Sequence, residues 1–332
     1  MAEADPLRER VEGWIGRPMS ASGPSVAPDA VNLPMIRHWV DALDDRDPVY
    51  LDADRAAASR FGEIVAPPAM LQTWTMARPQ IEGIAARGGA AAEIEPHSPL
   101  GLLTSAGFTG TLATNSELEF ARYLRLGDQL QSATALEAVS ERKATKLGVG
   151  YFITWVTTYT DAEDTVVGRQ RFRIYRFDPA SSGSVTPRAP RAASGEESAG
   201  GEELPSFDLD VTATVVVAGA IASRDFMPAH HDRAFATAQG APDIFMNILT
   251  THWYMSRYVT DWAGPEALLR KISIRLGAPA VPGCLLRFTG RVVRDEPDGP
   301  ERLLEVAIRA ANDLGDHATG TVTLTLPPHE AI

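Results

Sequence analysis

One order of elements occurs twice in this chain of 332 residues, and the break between the two copies restricts the folds open to it. Residues 178–205, "DPASSGSVTPRAPRAASGEESAGGEELP", consist mainly of Ser, Ala, Gly, Pro and charge, with too little apolar surface to offset the entropy of ordering them. They read as a flexible linker between residues 1–177 and 206–332. Each flank opens on an irregular acidic segment, continues into a helix started by proline, and closes with four strand-like runs. The helices are predicted from Pro67 ("PPAMLQTWTMAR") and from Pro242 ("PDIFMNILTTHWYMSRYVTDW"). In the second, Ile244, Ile248, Thr251, Met255, Val259 and Trp262 recur at steps of three and four, which makes one broad buried face. The runs are "SELEF", "DQLQSATALEAVSE", "GVGYFITWVTTYT" and "TVVGRQRFRIYRF" in the first half, then "KISIRL", "CLLRFTGRVVRD", "RLLEVAIRAAN" and "TGTVTLTLP" in the second. Their alternation suits an antiparallel sheet with one covered face. The predicted fold class is α+β, in which a long helix is wrapped by a curled antiparallel sheet, twice.

The loop that opens the second half carries the chemistry. In "ASRDFMPAHHDRAFA", Asp225 and His230 flank Pro228, whose fixed φ stiffens the loop. A carboxylate and an imidazole held toward one point can act as a general acid/base pair, because histidine titrates near neutrality. The first half repeats this layout in "ALDDRDPVYLDADRAA", with Asp45, Pro48 and Asp52, but Tyr50 stands where the imidazole would be. A phenol with a pKa near ten is a poor base at neutral pH, so this copy reads as degenerate. A net charge of −12 argues against a nucleic-acid partner, which a basic face would have to neutralise. The single cysteine, Cys284, cannot form an internal disulfide, and no run approaches the length of a membrane span. Without a long apolar stretch in "MAEADPLRERVEGWIG", the cytoplasm is the expected location.

The stretch "RDFMPAHHDRAFA" resembles the motif of R-specific enoyl-CoA hydratases, the MaoC-like dehydratase family, written G-D-x-N-P-L-H-x-D with a following F-A. Asp225, Pro228, His230, Asp232, Phe235 and Ala236 fall on it, and Met227 replaces its Asn. The resemblance implies a tandem, or double, hot-dog. Residues 1–177 would form a degenerate copy that shapes the acyl pocket, as "ASRFGEIVAPPAMLQTW" is similar to that half of double hot-dog dehydratases. Residues 206–332 would form the catalytic copy. A closer resemblance runs through "AQGAPDIFMNILTT", "RYVTDWAGPEAL", "IRLGAPAVPG" and "NDLGDHATGTVTLTL" to the small subunit of actinobacterial steroid side-chain enoyl-CoA hydratases. The first half resembles the hot-dog portion of the larger subunit, so the two would be fused here.

The resemblance implies hydration of a bulky, steroid side-chain enoyl-CoA by Asp225 and His230. The family's His-Gly pair, whose N–H helps bind the thioester oxygen, falls near Met246 and Asn247. With Gly240, in the turn before the helix, these are the candidate oxyanion and substrate-binding residues. No metal and no cofactor beyond the substrate's own CoA are expected. A homodimer and a downstream aldolase are the expected partners. Arg270, Lys271 and Arg275 are candidates for the CoA phosphates. Other readings compete: dehydration of a β-hydroxyacyl thioester in fatty-acid or polyketide metabolism, a non-catalytic acyl-CoA binding protein, and an iron site built from His230, Asp232 and His317. His231 is expected at the surface, Asp232 in loop ordering, and Trp253, Tyr254, Tyr258 and Trp262 in core or interface.

Overall fold

The computed structural model describes residues 4–20, 22–181 and 201–328. Most of the expected linker, residues 182–200, lies outside them. Its C-terminal end does not stay irregular: Glu203–Asp210 forms a strand, because Leu204 is buried and Phe207 packs on Phe288.

The helices are α1 (Pro6–Glu12), α2 (Leu33–Ala42), α3 (Ala53–Ala58), α4 (Pro99–Ser105), α5 (Ala213–Ala222), α6 (Arg233–Ala238) and α7 (Ile248–Ala263). The strands of the first half are β1 (Ser25–Val26), β2 (Gly110–Phe120), β3 (Gln131–Val139), β4 (Lys143–Thr145), β5 (Gly148–Thr160) and β6 (Val166–Asp178). Those of the second are β7 (Glu203–Asp210), β8 (Leu268–Leu276), β9 (Leu285–Asp298), β10 (Glu301–Asn312) and β11 (Gly315–Leu326). All belong to one antiparallel sheet in the order β1-β3-β5-β6-β2-β8-β11-β10-β9-β7, with β4 on β5. The halves meet where β2 pairs β8, with Leu118 opposite Ile272 and Asn115 opposite Arg275. Alternation decides the faces: Leu118, Ile272, Val322 and Leu324 are buried in one core that runs through both halves. This is a double hot-dog.

The two expected central helices fare differently. In the second half the helix begins at Ile248, not Pro242. Asn247 caps it by accepting the Thr250 N–H at 2.9 Å, and the residues before it are held elsewhere, Phe245 N–H on Ala229 O and Met246 N–H on Ala280 O. Its Trp253, Tyr254 and Tyr258 are buried, as expected of a core stripe. In the first half no long helix follows Pro67. Pro68–Met70 and Thr73–Thr75 form single 3₁₀ turns, and no helix resumes until α4. Pro79 bars only Arg78 from helical geometry, so it limits how far a helix could run without accounting for the breaks after Met70 and Thr75. The segments expected to be irregular contain α2 and α5, capped by Asn32 and Thr212. Those caps were one available clue to them. Among the described residues no helix is long and apolar enough to cross a membrane.

Candidate functional site

α5 delivers the acid and a single turn delivers the imidazole. The helix ends at Ser223, Arg224 takes a positive φ of 59°, and Pro228–His230 then makes one 3₁₀ turn. Asp232 caps α6 through the Phe235 N–H, so its carboxylate serves the loop as expected, and His231 is exposed. His230 is only 7% exposed, and its Nδ1 lies 2.7 Å from the Phe245 carbonyl oxygen. A carbonyl only accepts, so Nδ1 carries the proton and the neutral ring has a bare Nε2. That Nε2 stands 3.4 Å from Asp225 Oδ2, too long for a strong direct bond and suited to two groups that share one water. The Phe245 ring meets the imidazole edge-on at 5.0 Å and fixes its plane.

The carboxylate is held from two sides. Asp225 Oδ1 accepts the Met227 N–H at 3.2 Å, and Oδ2 accepts from Asn247 Nδ2 at 3.0 Å. Asn247 Nδ2 also donates to Ser223 Oγ at 2.9 Å. The close approach of α5 to the first turn of α7 depends on Gly219, where a Cβ would stand 2.2 Å from Thr250 Oγ1. On the far side of α7, the Thr251 hydroxyl lies 2.9 Å from His317 Nε2, and His317 Nδ1 donates to Ala278 O, which ties the helix start to β11.

These contacts sort the remaining candidates. The side chain of Asn247 is fully committed, but its main-chain N–H has no acceptor among the described residues and opens the N-terminal turn of α7. The Met246 N–H is occupied by Ala280 O, which removes it as an oxyanion donor. Gly240 is an exposed turn residue with φ 88° that closes α6, and no hydrogen bond joins it to the pair. Lys271 pairs with Glu117 and Glu119, and Arg270 lies 3.7 Å from Glu301. His230, Asp232 and His317 do not converge, and among the described residues no three His, Cys, Asp or Glu side chains form a metal-sized group.

Two first-half features that sequence reasoning missed touch this loop. A Cβ on Gly89 would fall 1.7 Å from Met227 Sδ, so that segment lies against the loop, and its φ of 89° is what favours glycine there. A cavity of about 300 Å³ lies between the halves, lined by Met35, His38, Thr73, Trp74 and Arg224, the residue before Asp225. Neither was legible because both depend on contacts between distant segments.

The first-half loop has the same backbone plan. Asp44 has φ 50°, Pro48–Tyr50 forms the 3₁₀ turn, and Asp52 caps α3. Burial pushes Asp45 up to about 6 and raises Tyr50 well above its ordinary value, so the phenol is no base at neutral pH. A carboxyl raised on folding contributes stability that is complete below about pH 4 and is lost as pH rises through about 6. Asp45→Asn keeps the acceptor for the Asp47 N–H. It therefore raises stability at pH 8 by on the order of 2–3 kcal/mol, with the gain vanishing toward pH 4. Buried His252, lowered to about 4, and His317, also lowered by burial, have the opposite slope, losing stability as pH falls. Both are common to wild type and variant, so denaturant melts of the pair across pH isolate Asp45.

Known proteins resemble this chain in sequence and in fold. Residues 22–170 match the model of the FAS1-like dehydratase domain region. The chain is 39% identical over 191 residues to a probable enoyl-CoA hydratase alpha subunit of Thermomonospora curvata, covering 55% of this chain and 56% of that subunit. It thus spans little more than half of that relative's length. It is 46% identical over 126 residues to the 3-oxo-4,17-pregnadiene-20-carboxyl-CoA hydratase beta subunit of Mycobacterium tuberculosis, covering 38% of this chain and 95% of that subunit. A solved MaoC-like dehydratase, 18% identical, superposes with a TM-score of 0.70 over 96% of this chain and 99% of its own, a likeness of fold. With nearly the whole of the beta subunit matched at that identity, the chain belongs to the MaoC-like hydratase and dehydratase family.

Proposed function

We propose that this chain adds water across the α,β double bond of a bulky enoyl-CoA, with a steroid side-chain thioester as substrate. The observation that carries the reading is the pair itself: a bare His230 Nε2 and an anchored Asp225 Oδ2, 3.4 Å apart at the start of α7. The two groups hold one water. Nε2 takes a proton from it as its oxygen bonds to Cβ, and the pair returns a proton to Cα. The charge that develops on the thioester oxygen meets the Asn247 main-chain N–H and the positive end of the α7 dipole. Reversal of the same steps is dehydration.

The acyl group is argued from the first half. Two single turns replace its central helix, and a half-open groove lined by Met35, His38, Thr73 and Trp74 lies beside Arg224 at the head of the loop. Similarity to a pregnadiene-carboxyl-CoA hydratase beta subunit supports a steroid thioester, and the added similarity to an enoyl-CoA hydratase alpha subunit supports a fusion of the two roles. The test is mass spectrometry of purified protein with a steroid side-chain enoyl-CoA and, separately, crotonyl-CoA. A gain of one water on the steroid ester is expected. Hydration of crotonyl-CoA alone removes the steroid assignment, and hydration of neither removes the hydratase reading.

A further inference from the structure

The two loops share what shapes their backbones and differ in what surrounds the carboxylate. Both have a positive-φ residue after the helix, a proline-opened turn and an aspartate cap. Only the second adds Ser223, His230 and Asn247; Leu43 and Tyr50 stand in the places of the first two. In the first loop, Asp45 receives the Asp47 N–H at 2.8 Å and is otherwise buried. In the second, Asp225 receives an additional donor from α7.

The orientation of that donor is fixed by its partners. The Thr250 N–H can only donate, so it must face Asn247 Oδ1, and the Asp225 carboxylate can only accept, so it must face Nδ2. Ser223 Oγ spends its own proton on the Gly219 carbonyl oxygen at 2.7 Å and accepts the other Nδ2 proton. Every polar atom of this side chain is used, and it is 2% exposed. Its Nδ2 and His230 Nε2 converge on the same oxygen, Asp225 Oδ2. The main-chain N–H of the same residue, at the start of the helix, has no acceptor among the described residues.

We infer that Asn247 is a positioning residue: its amide couples the start of α7 to Asp225, holding Oδ2 beside His230 Nε2. One residue then sets the distance between the water-holding pair and the N–H that meets the thioester oxygen. This rests on the hydratase reading of the pair. The substrate-facing contribution of Asn247 is its main chain, and its side chain acts through Asp225.

The test compares Asn247→Ser and Asn247→Asp with wild type. Serine and aspartate are both good helix caps and retain the main-chain N–H, so α7 keeps its start while the amide donor is lost. For Asn247→Ser, kcat falls about ten- to a hundredfold, as expected for a lost bond to a charged group, with KM close to wild type and the pH–rate profile in place. In Asn247→Asp, kcat falls further. Its acid limb also moves to higher pH by about one unit or more, because two adjacent carboxylates share a proton where one would be ionised. His230 is the titratable side chain recorded against Asp225, and it is unchanged in both variants. Thermal melts close to wild type verify the fold. Wild-type turnover by both variants overturns the inference, as does an equal fall in both with an unmoved acid limb and a lowered melting temperature. An inactive wild type brings down the hydratase reading as well, so the two failures are distinct.

Discussion

His230→Ala lowers the hydration rate of an enoyl-CoA by at least about two orders of magnitude, the scale of a lost general base. The imidazole is the group at this site with a bare nitrogen beside the carboxylate, and no neighbour replaces it: His231 is exposed and His317 is bound to Thr251 and Ala278. The substitution also strands the Phe245 carbonyl, at a stability cost of about 1–3 kcal/mol, so the rate must be normalised to folded protein. Asp225→Asn is the near-isosteric companion. It should produce a comparable fall with a stability cost of its own, since the single amide oxygen can accept from the Met227 N–H or from Asn247 Nδ2 but not from both. Tyr50→Phe, at the equivalent place in the first half, leaves the rate unchanged. Near-normal turnover by His230→Ala under single-turnover conditions ends the assignment of the base.

Trp253→Ala has the largest expected effect on stability, about 3–5 kcal/mol, the range for removing a buried tryptophan. Its ring is 1% exposed and meets the ring of Trp39 edge-to-face, 5.9 Å between centroids at 81°. Trp39 belongs to α2 of the first half and Trp253 to α7 of the second, so the cavity opens where the halves join. Calorimetry should record a drop of roughly four to seven degrees in Tm. Among the described residues the indole Nε1 has no hydrogen-bond partner. Trp253→Phe therefore loses no polar contact and should keep most of the stability, at a cost of about 1–2 kcal/mol. A loss below about 1 kcal/mol for alanine would contradict the view that one core serves both halves.

How much of this was legible before the structure differs from element to element. The strands were, since alternation such as that of "TVTLTL" reports a sheet with one covered face, and Val322 and Leu324 are buried accordingly. The loop chemistry was legible too, because Asp225, Pro228 and His230 lie within six consecutive positions and their geometry is set by one helix end and one turn. α5 was not legible, because its apolar residues run all round it and give little periodicity; α2 was, through buried Ile36, Trp39 and Val40 at helical spacing against exposed Arg37 and Asp41.

By itself, then, the sequence determined the repeat, the α+β class and the acid–imidazole loop, all of which depend on neighbours in the chain. Tertiary structure alone decided that the first half has no long central helix and that Met246 has no N–H to offer. It also decided that Asn247 reaches back across more than twenty positions to Asp225. Those outcomes depend on which distant groups compete for each backbone and amide hydrogen bond, and only the closed sheet brings those competitors together.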